Sequence, residues 1–308
     1  MDGHRPGFSK GGRVFRRVMG MQASNQRLAV TAMLIAAFLA GLDAVIVRSL
    51  AGGVHPLVIA FFRAFVGLIV VLPWIIARVE LRASPYRGLH FLRAALKQAS
   101  LVALFLAFTH APLADATAIT FTMPVFLTLG AWFFLGESIG PARITAILFG
   151  FVGIVIIIRP GGSNFDPWLL AALIGAILTA VIQLILRRMA MSDSADRLVA
   201  WNLLAMAPLG LIAALPVWVT PTPGQMALLA AQGVLGALNM SLITRAFSLV
   251  EASFLAPLDY LRLPVVAVLA YLFFDEFPPW NTWIGAGIII LGALVATGGV
   301  IRGRSRRP

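Results

Sequence analysis

The chain has 308 residues, 60% of them hydrophobic and only 12% charged, with a mean hydropathy of +0.94. A soluble domain carries about a quarter charged residues, so this composition excludes a water-soluble globular protein and leaves a polytopic membrane protein. The net charge of +12 does not point to nucleic acid as a partner, because the basic residues sit in tails and short loops between apolar runs, where membrane orientation accounts for them.

Residues 1–26 are basic and Gly-rich, without the apolar core of a signal peptide, and read as a disordered cytoplasmic tail. About 20 apolar residues span the hydrocarbon core as a helix. Ten segments meet that requirement: Arg27–Val47, Pro56–Ala77, Gly88–Thr109, Ala114–Leu135, Pro141–Ile158, Pro167–Leu186, Leu198–Val219, Gln225–Phe247, Ala252–Phe274 and Trp280–Ile301. Breakers stand at the joints, among them Gly52-Gly53, Pro160-Gly161-Gly162 and Pro278-Pro279. A basic tail, 302–308, closes the chain.

With the N-terminus inside, 18 of the 24 Lys and Arg fall in inner loops and tails, and only Arg48 and Arg159 fall outside. Both termini are therefore expected in the cytoplasm. The other four (Arg63, Arg93, Lys97 and Arg262) lie within the segments.

The fourth segment belongs to PLADATAITFTMPVFLTLGAWFFLGE (112–137), and the ninth to EASFLAPLDYLRLPVVAVLAYLFFDE (251–276). Ala116, Pro124 and Val125 meet Ala256, Pro264 and Val265 at a shift of 140, and Phe134 and Glu137 meet Phe273 and Glu276 at 139. The same shift of 139 aligns Leu34, Ile46 and Arg48 with Leu173, Ile185 and Arg187, and Gly153 with Gly292. The chain thus reads as two repeats, 27–160 and 167–301, joined by an outer linker, 161–166. Five segments per repeat is an odd number, so the second copy enters the membrane from the opposite side. An inverted repeat with proline-broken helices at matching places is the sequence mark of a transporter that works by alternating access.

Together with PARITAILFGFVGIVIIIRPG (141–161), the stretch at 112–137 resembles the EamA type of the drug/metabolite transporter superfamily, over roughly residues 27–301. The resemblance implies an all-α membrane protein of ten helices in two inverted five-helix units, set in the bacterial cytoplasmic membrane. It implies a central cavity for a small polar or amphipathic metabolite, with either export of amino acids or uptake of riboflavin or S-adenosylmethionine. The second copy departs from the usual pattern at Asp259 and Arg262.

An ionisable residue at bilayer depth is a functional hypothesis by default. Arg63, Lys97 and Arg262 all fall near the midplane, counted from the segment ends. His90, Arg93 and Lys97 recur at spacings of three and four, which makes one stripe on one helix face. The stripe reads either as a cationic wall for a substrate carboxylate or phosphate, or as internal ion pairing with Asp43 or Asp259. Asp259 and Arg262, three apart, can satisfy each other.

Pro124 and Pro264 cannot donate backbone hydrogen bonds, which frees the carbonyls of Thr120 and Tyr260. Those carbonyls either face substrate or are healed by neighbouring Thr hydroxyls. Trp201, Gln98, Gln183, Asn202 and Asn239 are further lining candidates, while Trp74, Trp168, Trp218, Trp280 and Trp283 read as an aromatic belt. The fifth and tenth segments, rich in glycine, offer a scaffold and a homodimer face among the membrane lipids.

No enzyme is expected. The match Gly136-Glu137-Ser138-Ile139-Gly140 to a nucleophile elbow lacks the strand-turn-helix that motif needs. With no cysteine, and with His4, His55, His90 and His110 scattered, no metal or cofactor site is expected. No nucleotide-binding loop is present, so transport is expected to draw on a gradient or exchange.

Overall fold

A computed structural model describes residues 10–78, 81, 84–136, 140–160, 165–189, 191–250, 255 and 258–304. Residues 137–139 of the nucleophile-elbow match, linker residues 161–164 and the extreme tails lie outside the described residues.

Among the described residues the regular structure is helical, without strands. The helices are α1 (Lys10–Ser49), α2 (Pro56–Arg78), α3 (Arg87–His110), α4 (Leu113–Thr120), α5 (Met123–Leu135), α6 (Pro141–Ile158), α7 (Leu169–Met189), α8 (Ala195–Ala214), α9 (Pro223–Leu249), α10 (Arg262–Phe274) and α11 (Trp280–Arg304). Seven stretches, counting α4 and α5 together, are long and apolar enough to cross a membrane, and α6, α10 and α11 hold shorter apolar ones. The flanks of the bundle are greasy, with Ile76, Phe133, Phe134 and Leu272 each at least 66% exposed. In water such a surface would be untenable, and in lipid it is the expected outer face. This is an integral membrane protein.

The basic N-terminal stretch differs from expectation in being helical from Lys10. The apolar span already supplies the helix nucleus, and extending a formed helix through proline-free sequence is inexpensive. At α9 the chain supplies its own start signal, with Thr222 and Gln225 in a reciprocal capping box and Pro223 in the first turn.

The fourth segment is two helices rather than one kinked helix. α4 stops at Thr120, Phe121 and Thr122 form a turn, and α5 starts at Met123 with Pro124 in its first turn. The hydroxyls of Thr120 and Thr122 donate to the carbonyls of Thr117 (2.6 Å) and Ile119 (2.7 Å), and the Ile119 carbonyl also accepts the Thr122 N–H at 3.0 Å. The ninth segment breaks at Tyr260-Leu261, the same place under the 139 shift. α5 and α10 are both 13 residues long, and each ends on a left-handed residue, Gly136 (φ 65°) and Asp275 (φ 57°). Glycine adopts that conformation freely and Asp is among the residues that tolerate it.

Exchanging α1, α2, α3, α5 and α6 with α7, α8, α9, α10 and α11 leaves the main packing pattern unchanged. The α1–α9 contact answers to α7–α3, α1–α10 to α7–α5, and α2–α9 to α8–α3, while α2 packs on α8 and α6 on α11. The equivalent helices α2 and α8 run antiparallel, with Phe61 beside Gly210 and Gly67 beside Leu203. α6 and α11 are also antiparallel and backbone-close, since a Cβ on Gly153 would lie 2.7 Å from the Gly285 carbonyl. Of the glycines in the fifth and tenth segments, Gly150, Gly153, Gly285 and Gly292 are packed against other parts of the chain, and Gly287 stays open.

Candidate functional site

The two broken stretches meet. Arg262, the first residue of α10, donates from Nη2 to Thr120 Oγ1 at 2.9 Å, and its guanidinium lies 5.1 Å from the centre of the Phe121 ring. Phe121 packs edge-on against Tyr260 at 5.0 Å. Three of the sequence-predicted residues, Thr120, Tyr260 and Arg262, therefore share one spot where the halves touch. Phe121 completes it and was not foreseen, because an aromatic in an apolar run carries no local signal. Asp259 is exposed at this break, and among the described residues no ion pair joins it to Arg262. The expected freed carbonyl of Tyr260 is not free, since the N–H of Leu263 takes it at 3.1 Å. The turn tightens by one residue and recovers the bond that Pro264 cannot make.

A second group lies between α1, α2, α3 and α9. Arg63 is ion-paired with Asp43, its guanidinium sits 5.8 Å from the centre of the Phe105 ring, and it fills the space beside Gly236, where an added Cβ would lie 3.0 Å from it. Both side chains are mostly buried, at 19% and 13% exposure. Asp43 thus serves Arg63 and not Lys97.

The predicted stripe on α3 divides by depth. Near the start of α3, His90 is fully buried, with Nε2 3.1 Å from Asp193 Oδ2 and 2.9 Å from Ser84 Oγ. Ser84 donates to Asp193 at 2.7 Å, and Arg197 holds the other carboxylate oxygen at 3.0 Å. Burial alone would raise the Asp193 carboxyl, but the hydrogen bonds from Ser84, Arg197 and His90 together hold it below the usual carboxylate value. Arg93 is buried and donates to the Leu198 carbonyl. His90 and Arg93 are therefore parts of a clasp between the halves, not a wall for substrate. Trp201 belongs to the same clasp, stacked on His90 at 5.2 Å with Nε1 donating to the Leu81 carbonyl at 3.2 Å, and is not at the meeting of the breaks. Ser84 and Asp193 escaped sequence reading because both sit in short loops whose partners are far along the chain.

Lys97 is the member of the stripe left over. It is half-buried, and among the described residues no carboxylate lies within ion-pair distance of it.

At the opposite end of the bundle Arg48 donates to Glu276 at 2.7 Å and to the carbonyls of Phe108 and Ala111 at 3.3 Å each. Glu276 also accepts from the N–H of Leu113 at 3.0 Å, at the start of α4. A further link between halves is the buried Asp115, which accepts from Thr282 Oγ1. The halves are thus joined at both ends and in the middle.

The EamA-like transporter family model matches the chain twice, over residues 27–159 and 166–298, which start 139 residues apart. The S-adenosylmethionine uptake transporter of Rickettsia bellii (strain RML369-C) is 35% identical over 243 residues, covering 78% of this chain and 83% of that protein. The riboflavin transporter of Vibrio cholerae serotype O1 (strain ATCC 39315 / El Tor Inaba N16961) is 32% identical over 270 residues, covering 84% and 90%. A solved crystal structure superposes with a TM-score of 0.60 over 92% of this chain and 99% of its own at 22% identity, a resemblance of fold alone. With both repeats matched and relatives of this identity and coverage named as transporters, the chain is a transporter rather than an enzyme, and it belongs to the EamA-like transporter family.

Proposed function

We propose that the chain is a secondary uptake carrier of the bacterial cytoplasmic membrane, working by alternating access between two inverted halves. Each half, 27–160 and 167–301, crosses the membrane five times, with 161–166 as outer linker and both termini cytoplasmic. The observation that carries this reading is the meeting of the two helix breaks, where Arg262 and Tyr260 of one half touch Thr120 and Phe121 of the other. Broken helices at a repeat interface are where transporters bind their cargo. The antiparallel packing of equivalent helices supports the inversion, and the arginine distribution supports the orientation.

The substrate class follows from the chemistry of this meeting point. S-adenosylmethionine and riboflavin, cargoes named for the two relatives, share a flat nitrogen heterocycle joined to a hydroxylated five-carbon chain, closed into a ribose ring in the first and open in the second. Phe121 and Tyr260 offer ring faces and edges for such a heterocycle, and Thr120 and Arg262 offer polar partners for its chain. Alternation requires the Arg48–Glu276 link and the His90–Asp193 clasp to open in turn, one at each end.

The test is uptake of radiolabelled S-adenosylmethionine and riboflavin into proteoliposomes holding the purified protein. Accumulation of at least one above protein-free vesicles, lost in Arg262→Ala, is the expected result. Uptake of neither, by protein that is folded and correctly inserted, would overturn the substrate class.

A further inference from the structure

On an α-helix successive residues turn by about 100°. The exposed residues from the start of α3 to Ala99 are Arg87, Gly88, Phe91, Leu92, Ala95 and Ala99, which share one side, and the apolar ones among them face lipid. Lys97 lies about 180° from the middle of that set. It therefore points into the bundle, yet it is only half-buried, while its neighbours Arg93, Ala94 and Gln98 are buried. An inward residue that keeps its exposure borders an internal opening.

The charged neighbours of Lys97 are Arg63 and Arg93, both cations. Arg63 is neutralised by Asp43, and Arg93 is buried against the Leu198 carbonyl. Lys97 is left as the cation that a ligand can reach, in a field that favours a negative group. A positive charge held at bilayer depth with no protein anion is costly unless its occupant brings one.

We propose that Lys97 is the specificity residue that receives a carboxylate of the transported metabolite. One reachable ammonium matches one negative charge, whereas a phosphomonoester carries nearly two. The inference rests on the substrate class above and narrows it. It selects a heterocyclic metabolite that carries a carboxylate, as S-adenosylmethionine does, over riboflavin, which has no ionised group at neutral pH.

The experiment measures the affinity of the purified protein for S-adenosylmethionine, for its decarboxylated analogue and for riboflavin, by titration calorimetry. The analogue differs from the first only by the carboxylate. The wild type is expected to prefer S-adenosylmethionine over the analogue by about ten- to a hundredfold, the usual range for a charge-assisted contact. In Lys97→Gln that preference should fall to within about threefold, through loss of affinity for the carboxylate form alone. Lys97→Arg should keep part of it, since the charge stays while the geometry changes.

Equal binding of S-adenosylmethionine and its analogue by the wild type overturns the inference, whatever the variants do. So does an undiminished preference in Lys97→Gln. Binding of riboflavin alone leaves the uptake-carrier reading standing and overturns the carboxylate. Binding of none of the three overturns the substrate class and this inference with it.

Discussion

Replacing Asp43 by Asn tests the interior electrostatics, because it removes the anion and leaves the guanidinium in place. Arg63 cannot shed its charge, and it is confined by the Phe105 ring, Gly236 and α1. Removing one partner of a buried pair costs about 3–5 kcal/mol. With the two side chains still 19% and 13% exposed, the lower end applies, about 3 kcal/mol. At roughly 2 °C per kcal/mol for a chain of this size, Asp43→Asn should melt about 6 °C below the wild type. Arg63→Met should cost less, because a carboxylate left alone can take up a proton. The double variant Asp43→Asn/Arg63→Met should recover at least half of the loss, since it leaves no unpaired charge. The assay is thermal unfolding in detergent, followed by tryptophan fluorescence. A double variant as unstable as Asp43→Asn would refute the reasoning, because the loss would then come from packing and not from an orphaned charge.

The clasp at the start of α3 predicts an acid limit. Asp193 is held below its ordinary value, so its contribution is fully present above the unfolded carboxylate value of about 3.9 and is lost as pH falls through the lower folded value. The melting temperature should therefore drop on acidification below about pH 4, and Asp193→Asn should remove that part of the slope while destabilising the protein at neutral pH. A slope unchanged in Asp193→Asn would assign it to other carboxylates. Topology can be read with single cysteines, since the chain has none of its own. Thr220→Cys and Ser192→Cys, both exposed, should label from outside and inside respectively with an impermeant thiol reagent. Labelling of both from one side contradicts five crossings per half.

The span positions and the 139 shift were legible because lipid enforces them: long apolar runs, breakers at the joints, and the same proline in both halves. The full break between α4 and α5 was less legible. A proline announces a disturbed helix, but it does not show that Thr120 and Thr122 turn their hydroxyls back onto the Thr117 and Ile119 carbonyls where the chain bends. Periodicity placed His90, Arg93 and Lys97 on one helix face, yet it could not sort them. That sorting depends on Ser84, Asp193 and Leu198, which approach only after the halves pack. The same holds for Asp43, whose choice of Arg63 over Lys97 is a matter of which helix faces meet. Trp201 reads from the sequence as a lining candidate, and only the packed structure shows its indole against His90 and the Leu81 carbonyl.

Alternating access is best tested by distances at the two ends of one molecule. Spin labels at His110 and Phe277 report on the end held by Arg48 and Glu276, and labels at Gly88 and Met191 report on the end held by His90 and Asp193; all four residues are exposed. Pulsed electron paramagnetic resonance would compare both pairs in nanodiscs with and without the ligand that binds. The account predicts that the two distance distributions shift in opposite directions when ligand is added, one end opening as the other closes. Bound ligand with both ends moving together, or with neither moving, would contradict it.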